Sequence, residues 1–355
     1  MSEAGEPAPA KTPAASARPR LSTRKKLGFL ALTLLLGVCG VEGLLQLLGF
    51  PKGLMTSTRK MWATDAEREL GPFKPSTQVK IAWPLELAYE ATINELGLRG
   101  ALPEPDQPLV LCVGDSTTFG SHVADAEAYP HQLRSSLKAA GLAATTLNGG
   151  CPRWTISDQT EFLAAAVPRL KPRAVVILFC GNDLIELDKD PARERALRSR
   201  SFWSDLRTRL AIPEVALDLS LWLRRKQLEA QGRWPPEMRP DQMRTGDWAR
   251  PYWARYAKGL EEAVALCKGA GARVLVAAFP GYKELEEEAC EVEQHLPAIV
   301  RQAGAEYVDL YPAFRASPAG QKNFLLPHDA HASAAGNALI AGEVARALAQ
   351  GWRGE

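Results

Sequence analysis

Metal-type cysteine spacing is missing from this 355-residue chain: its six Cys, at positions 39, 112, 151, 180, 267 and 290, form neither CxxC pairs nor Cys/His runs. That disfavours a zinc site, and with it the dense disulfide framework of small secreted domains. An excess of one charge sign is missing too. Lys and Arg number 43 against 41 Asp and Glu, for a net charge of +2, so nothing global points to nucleic acid as a partner. His is scarce, with five residues, which lets each be weighed as a base. Long apolar runs are absent but for one near the N-terminus. The length itself suits one large α/β domain with an appendage.

Residues 1–24, rich in Ala, Pro, Ser and basic residues, have almost nothing to bury and are expected to be a disordered cytoplasmic tail. Residues 25–50 are expected to be a transmembrane anchor. Leu27 to Phe50 is apolar except for Glu42 and Gln46, and a helix of that length covers a hydrocarbon core of roughly 30 Å. Glu42 costs about 3 kcal/mol at mid-membrane, whereas ten Leu at about 0.5 kcal/mol each outweigh it. Arg18, Arg20, Arg24, Lys25 and Lys26 precede the run, so the positive-inside rule keeps the tail cytoplasmic and puts the body across the membrane. A cleaved signal peptide competes with this reading, because Leu27 to Val41 is short enough for an h-region. Leu36-Gly37-Val38-Cys39 also has the outline of a lipoprotein box, with Val38 a poor residue before the Cys. All three readings put the body outside the cytoplasm.

Residues 51–106 read as a connector with strand content at Val79 to Trp83 and Ala88 to Ile93, closed by the turn cluster Asn94-Glu-Leu-Gly-Leu-Arg99-Gly100. The body, 107–355, alternates strands and helices. Strands are expected at 109–114, 143–148, 174–180, 273–279 and 306–310, with helices at 126–140, 157–167, 284–303 and 333–349. Such alternation argues a parallel sheet. It stops at about 184–252, where apolar residues at helical spacing predict one or two amphipathic helices, serving as packing or as a lid beside the crevice.

Chemistry concentrates at the strand ends. Leu109-Val-Leu-Cys-Val is a buried-strand pattern ending in Gly114-Asp115-Ser116, a sharp turn that sets a hydroxyl at a strand's carboxyl end, where open α/β sheets bind ligands. Alone, Asp and Ser there are ordinary capping residues. Three more stretches change the balance: Asn148-Gly149-Gly150-Cys151-Pro152-Arg153-Trp154, Gly181-Asn182-Asp183, and Pro327-His328-Asp329-Ala330-His331, the last entering a helix with Gly336. Acyl transfer by a serine needs a base, a carboxylate to orient it and donors for the oxyanion. Those residue types are all present.

In the order Ser, Gly, Asn, His, these stretches resemble the four blocks of the SGNH (GDSL-type) hydrolase family, over 109–345 apart from the insertion. The resemblance implies a flavodoxin-like α/β/α sandwich with a parallel sheet, preceded here by one transmembrane helix. It implies Ser116 as nucleophile with Asp329 and His331 completing a triad, and an oxyanion hole from the Ser116 and Gly150 amides and the Asn182 side chain. The upstream layout, an apolar anchor and then the Asn-x-x-Gly-x-Arg-Gly turn, is similar to membrane-tethered bacterial members.

This chain also departs from the pattern. Many relatives have the Asp three residues before the His; here Asp329 is two before His331, and the third position is His328. His331 is preferred as base over His328 because the small-residue run to Gly336 counts correctly from it. Arg153 stands where Gly is common and Cys180 where the third block has Gly; Arg153 and Trp154 are expected to touch substrate, Arg153 through an anionic group. His122, His131 and His295 are expected to be solvated or core residues. Cys112 and Cys180 are read as small core hydrophobes, and Cys151 as a less well served nucleophile than Ser116. No metal and no cofactor is expected. The expected partners are the membrane, through the N-terminal helix, and an ester-bearing small molecule or acylated glycan. The leading function is a periplasmic serine esterase acting on an ester such as an O-acetyl group. An O-acyltransferase on envelope polysaccharide would use the same triad, and a non-catalytic envelope-assembly subunit would keep only the fold.

Overall fold

The computed structural model describes residues 22–49, 61–81, 89–188, 210–231, 249–325 and 330–352. The chain divides into two compact units, Met1–Leu48 and Gly49–Glu355. In the first, helix α1 (Thr23–Leu47) has no buried residue, and the Ser22 side chain caps it by accepting from the Lys25 amide. Gln46 Nε2 donates to Glu42 Oε1 at 2.8 Å, so the two polar side chains one turn apart satisfy each other. α1 is long and apolar enough to cross a membrane, which makes it a candidate membrane span or signal helix.

The second unit is built on five parallel strands: β3 (Leu109–Gly114), β4 (Thr145–Gly150), β5 (Ala174–Phe179), β6 (Arg273–Ala278) and β7 (Glu306–Asp309), in the spatial order β4-β3-β5-β6-β7. Upstream of them, β1 (Thr77–Ile81) and β2 (Tyr89–Ile93) pair as an antiparallel hairpin. Trp83, expected in the first of these strands, lies outside the described residues.

Strands β3, β5 and β6 are apolar on both faces because both are covered. Leu109, Leu111, Val113, Val175, Ile177 and Phe179 share one core with helices α3 (Ile156–Leu170), α5 (Arg250–Gly269) and α6 (Glu291–Ala303). The alternate residues Val110, Cys112, Val176, Leu178 and Leu275 share another with α2 (Tyr129–Ala139) and α7 (Ala334–Trp352). The period of two along each strand thus makes the α/β/α sandwich. Met61, Phe73, Ile81 and Ile93 from the segment around the hairpin join the first core.

The helix expected over 284–303 starts later. Glu284 turns its side chain back to accept from the Gly281 amide at 2.8 Å and the Tyr311 hydroxyl at 2.5 Å, so 284–286 is only a 3-10 turn. α6 then begins at Glu291, where Glu293 Oε2 accepts the Cys290 amide. Within the insertion, α4 (Ala211–Ala230) is helical as expected and exposes Leu219, Trp222 and Leu223, while 189–209 and 232–248 lie outside the described residues.

The strand order is the doubly wound one: from β3 the chain goes to β4 on one side and to β5 on the other. The carboxyl ends of β3 and β5 therefore flank the switch point, where such sheets form their crevice.

Candidate active site

At the end of β3, Asp115 breaks the strand at φ −93°, ψ −144°, and its Oδ1 accepts the Thr117 amide at 2.9 Å, starting one helical turn, Ser116–Phe119. Gly120 closes that turn at φ +84°, the left-handed conformation that a residue without Cβ adopts freely. Ser116 is the first residue of the turn, so its hydroxyl and amide sit at the strand's carboxyl edge. The other Asp115 oxygen, Oδ2, accepts Asn182 Nδ2 at 2.8 Å and lies 3.4 Å from Ser116 Oγ. One carboxylate, itself 1 % exposed, thus ties the end of β3 to the end of β5.

His331 arrives from the opposite end of the chain. Its Nε2 is 2.7 Å from Ser116 Oγ, although 215 residues separate the two. The His331 loop is held from several sides. Leu325 N–H donates to His331 O at 3.0 Å, and Asn337 donates to the carbonyls of Ala332 and Ser333 while accepting the Tyr129 amide. An imidazole at this distance can take the hydroxyl proton as oxygen attacks a carbonyl. His328 and Asp329 lie outside the described residues.

Cys180, anticipated as a core hydrophobe, has a polar part beneath the site. Its thiol is 3.5 Å from Asp115 Oδ1 and 3.3 Å from Thr117 Oγ1. Burial, and then the charges of Asp115 and Asp183, push its pKa well above the ordinary thiol value, so it stays protonated and donates to Asp115. Asp183 is buried as well, and its Oδ2 accepts the Cys180 amide at 2.9 Å. Buried polar groups of this density are held in one arrangement by mutual satisfaction.

Two residues of the second block have partners within the protein. The Gly150 amide, at the end of β4, donates to Asn148 Oδ1 at 2.9 Å. Gly150 is also needed for close approach: a Cβ there would lie 2.3 Å from the Phe119 amide nitrogen. Trp154, expected against substrate, is 3 % exposed and packs on Phe162 with ring centroids 5.2 Å apart, as its large apolar area favours. Arg153 is exposed, in a left-handed conformation at φ +66°, with Nη1 3.6 Å from Glu186 Oε1. Cys151 is fully buried.

Two residues that sequence reasoning passed over stand against the site. Arg99, read only as part of a turn cluster, is 1 % exposed. Its Nη1 donates to the carbonyls of Phe119 and Gly120, at 2.9 and 2.5 Å, at the closing end of the Ser116 turn. Its Nη2 donates to Val123 O and Glu90 O, and its Nε to Asp125 Oδ1 at 2.6 Å. An Arg between apolar Leu98 and a Gly was the only local sign of a buried fork. His122, read as solvated or core, places its ring 5.4 Å from that of His331.

The family model for GDSL-like lipase/acylhydrolases matches residues 112–339, which contain Ser116, Asn182 and His331. Solved structures similar to this chain include a lipase/acylhydrolase from Enterococcus faecalis, 15 % identical, covering 68 % of this chain and 96 % of that one with a TM-score of 0.43. A psychrotrophic esterase from Pseudoalteromonas sp. is 12 % identical, covering 70 % of this chain and 99 % of that one with a TM-score of 0.41. No curated protein matches the chain.

Proposed function

The chain belongs to the GDSL-like lipase/acylhydrolase family and is a hydrolase, and from that premise we propose that it is a serine esterase with Ser116 as nucleophile and His331 as base. The observation that carries the reading is the 2.7 Å approach of His331 Nε2 to Ser116 Oγ at the carboxyl end of β3. Ser116 Oγ attacks the ester carbonyl as its proton passes to Nε2. The tetrahedral intermediate collapses, the alcohol leaves with that proton, and an acyl-Ser116 remains. Water, deprotonated by the same nitrogen, then attacks and frees the acid. Asp329 is proposed to orient the imidazole, from its place two residues before His331.

Two donors are proposed for the oxyanion. The Ser116 amide begins a helical turn and so lacks an intrahelical acceptor. The Asn182 carboxamide has two N–H groups, one bonded to Asp115 Oδ2 and the other left for a substrate oxygen. Asn182→Ala should leave the melting temperature near normal and change KM modestly, while kcat falls about a hundredfold to a thousandfold. Unaltered turnover with a lowered melting temperature would return Asn182 to a turn role.

We further propose that α1 anchors the protein, with the body outside the cytoplasm and an ester such as an O-acetyl group on a glycan as substrate. The apolar length of α1 and its basic flank support the anchor; membership of a lipase/acylhydrolase family supports an ester as substrate. The protein should pellet with membranes through a carbonate wash and keep its N-terminus; a mature chain starting near Glu42 would sink the anchor in favour of cleavage. Acyl release from p-nitrophenyl esters and acetylated glycans, with and without acceptor sugars, tests the chemistry. Release without an acceptor supports hydrolysis, and a strict acceptor requirement would replace it with acyl transfer.

A further inference from the structure

We propose that His122 is a positioning residue for His331, holding the imidazole in the orientation in which Nε2 meets Ser116 Oγ. The inference rests on the reading of Ser116 and His331 given above.

Three rings stand in series. Tyr89, at the start of β2, meets His122 edge-on at 5.5 Å and 65°, and His122 meets His331 edge-on at 5.4 Å and 62°. Edge-to-face contact is the arrangement that aromatic quadrupoles favour, so each ring limits rotation of the next. The far end is fixed, because Tyr89 is 8 % exposed and lies 5.4 Å from the guanidinium carbon of buried Arg99.

The backbone supports the same conclusion. His122 has φ +67°, a left-handed conformation that residues with a Cβ seldom adopt. It is held there from both sides. The Ser121 amide donates to Ser116 O at 3.0 Å, and the carbonyls of Gly120 and Val123 both accept from Arg99. The clamped turn fixes the direction in which the His122 side chain leaves the backbone, and that direction delivers its ring onto the base beside the reactive hydroxyl. A glycine would suit the backbone better. The imidazole is what a glycine could not supply.

The ring acts through His331 rather than on substrate. Proton transfer from Ser116 needs Nε2 on the Oγ–H axis, and a misplacement of about 1 Å can cost up to about a hundredfold in rate. Without His122 the His331 ring loses one of the neighbours that limit its rotation.

His122→Gly separates this role from a structural one, because glycine takes φ +67° without strain. In the full-length protein in detergent, this variant should melt no lower than the unaltered chain by more than the lost ring contact accounts for. On p-nitrophenyl acetate kcat should fall about tenfold to a hundredfold with KM little changed, and fluorophosphonate labelling of Ser116 should slow in parallel. His122→Asn, which also tolerates the left-handed region, should show the same loss. Unchanged kcat and labelling in folded His122→Gly or His122→Asn would overturn the proposal. A raised KM at unchanged kcat would also overturn it, by assigning the ring to substrate. Turnover surviving in Ser116→Ala would instead overturn the underlying reading, so the two failures are told apart.

Discussion

Ser116→Ala should abolish fluorophosphonate labelling and lower ester turnover by several orders of magnitude while leaving the fold intact. The size of the effect follows from the chemistry: the acyl group is carried on Ser116 Oγ, and no other hydroxyl stands 2.7 Å from His331 Nε2 among the described hydrogen bonds. The fold should survive because the change removes one half-buried hydroxyl, worth about 1 kcal/mol as a hydrogen bond, from a turn held by Asp115, Gly120 and Arg99. His331→Ala should lose nearly as much. Combined with Ser116→Ala it should lose no more, since nucleophile and base act as a unit. Substantial turnover in purified Ser116→Ala would remove Ser116 from the mechanism; an inactive His328→Ala beside an active His331→Ala would move the base to His328.

The largest effect on stability should come from Arg99→Met. Arg99 is the largest fully buried side chain in the protein's described part, and its fork donates to four carbonyls and to Asp125. Methionine fills much of the volume and supplies none of the donors. The Val123 carbonyl then loses its donor, the Phe119 and Gly120 carbonyls keep only the longer bonds from Asn148 Nδ2 and the Val123 amide, and Asp125 loses its counter-charge. Leaving a buried acceptor without its donor costs about 1–3 kcal/mol, and the weakened bonds of the turn add to it. Arg99→Lys should recover little of it, because a single ammonium cannot reproduce a planar fork directed at several acceptors. Asp125→Asn should be milder, since the Asp125 side chain is 28 % exposed and water can replace part of what is lost. Urea unfolding of the solubilised protein measures all three. A loss below about 1 kcal/mol for Arg99→Met, within the range of an ordinary substitution, would mean that the carbonyls find other donors and that the Ser116 turn does not depend on Arg99.

What could be read from the sequence was local. Leu109 to Gly114 shows as a strand because a strand buried on both faces needs a continuous apolar run, and β3 has one. The turn at Asp115-Ser116 shows because capping and tight turns need particular residues at particular offsets. The ordered motifs were legible for the same reason: the ends of β3 and β5 and the loop before α7 each bear their chemistry within a few consecutive residues. Helix boundaries were less so. The expected start at 284 failed because Glu284 bonds to Tyr311, 27 residues away, and no local pattern announces that contact.

The tertiary structure alone decided which polar groups face each other. The Gly150 amide has Asn148 Oδ1 as a partner, and nothing in the local sequence announces that bond. Arg99 looks like one more charge in a turn until the hairpin folds against the end of the Ser116 turn, and then it is the donor for carbonyls 20 to 24 residues away. His122 has nothing in its neighbours that fixes the sign of φ. Clamps on Gly120, Ser121 and Val123 set that sign and turn the ring onto His331. Periodicity and turn chemistry act over a few residues and so are written into the sequence; the direction of a buried donor or ring is chosen by whichever groups the packing leaves unsatisfied beside it, and those come from distant parts of the chain.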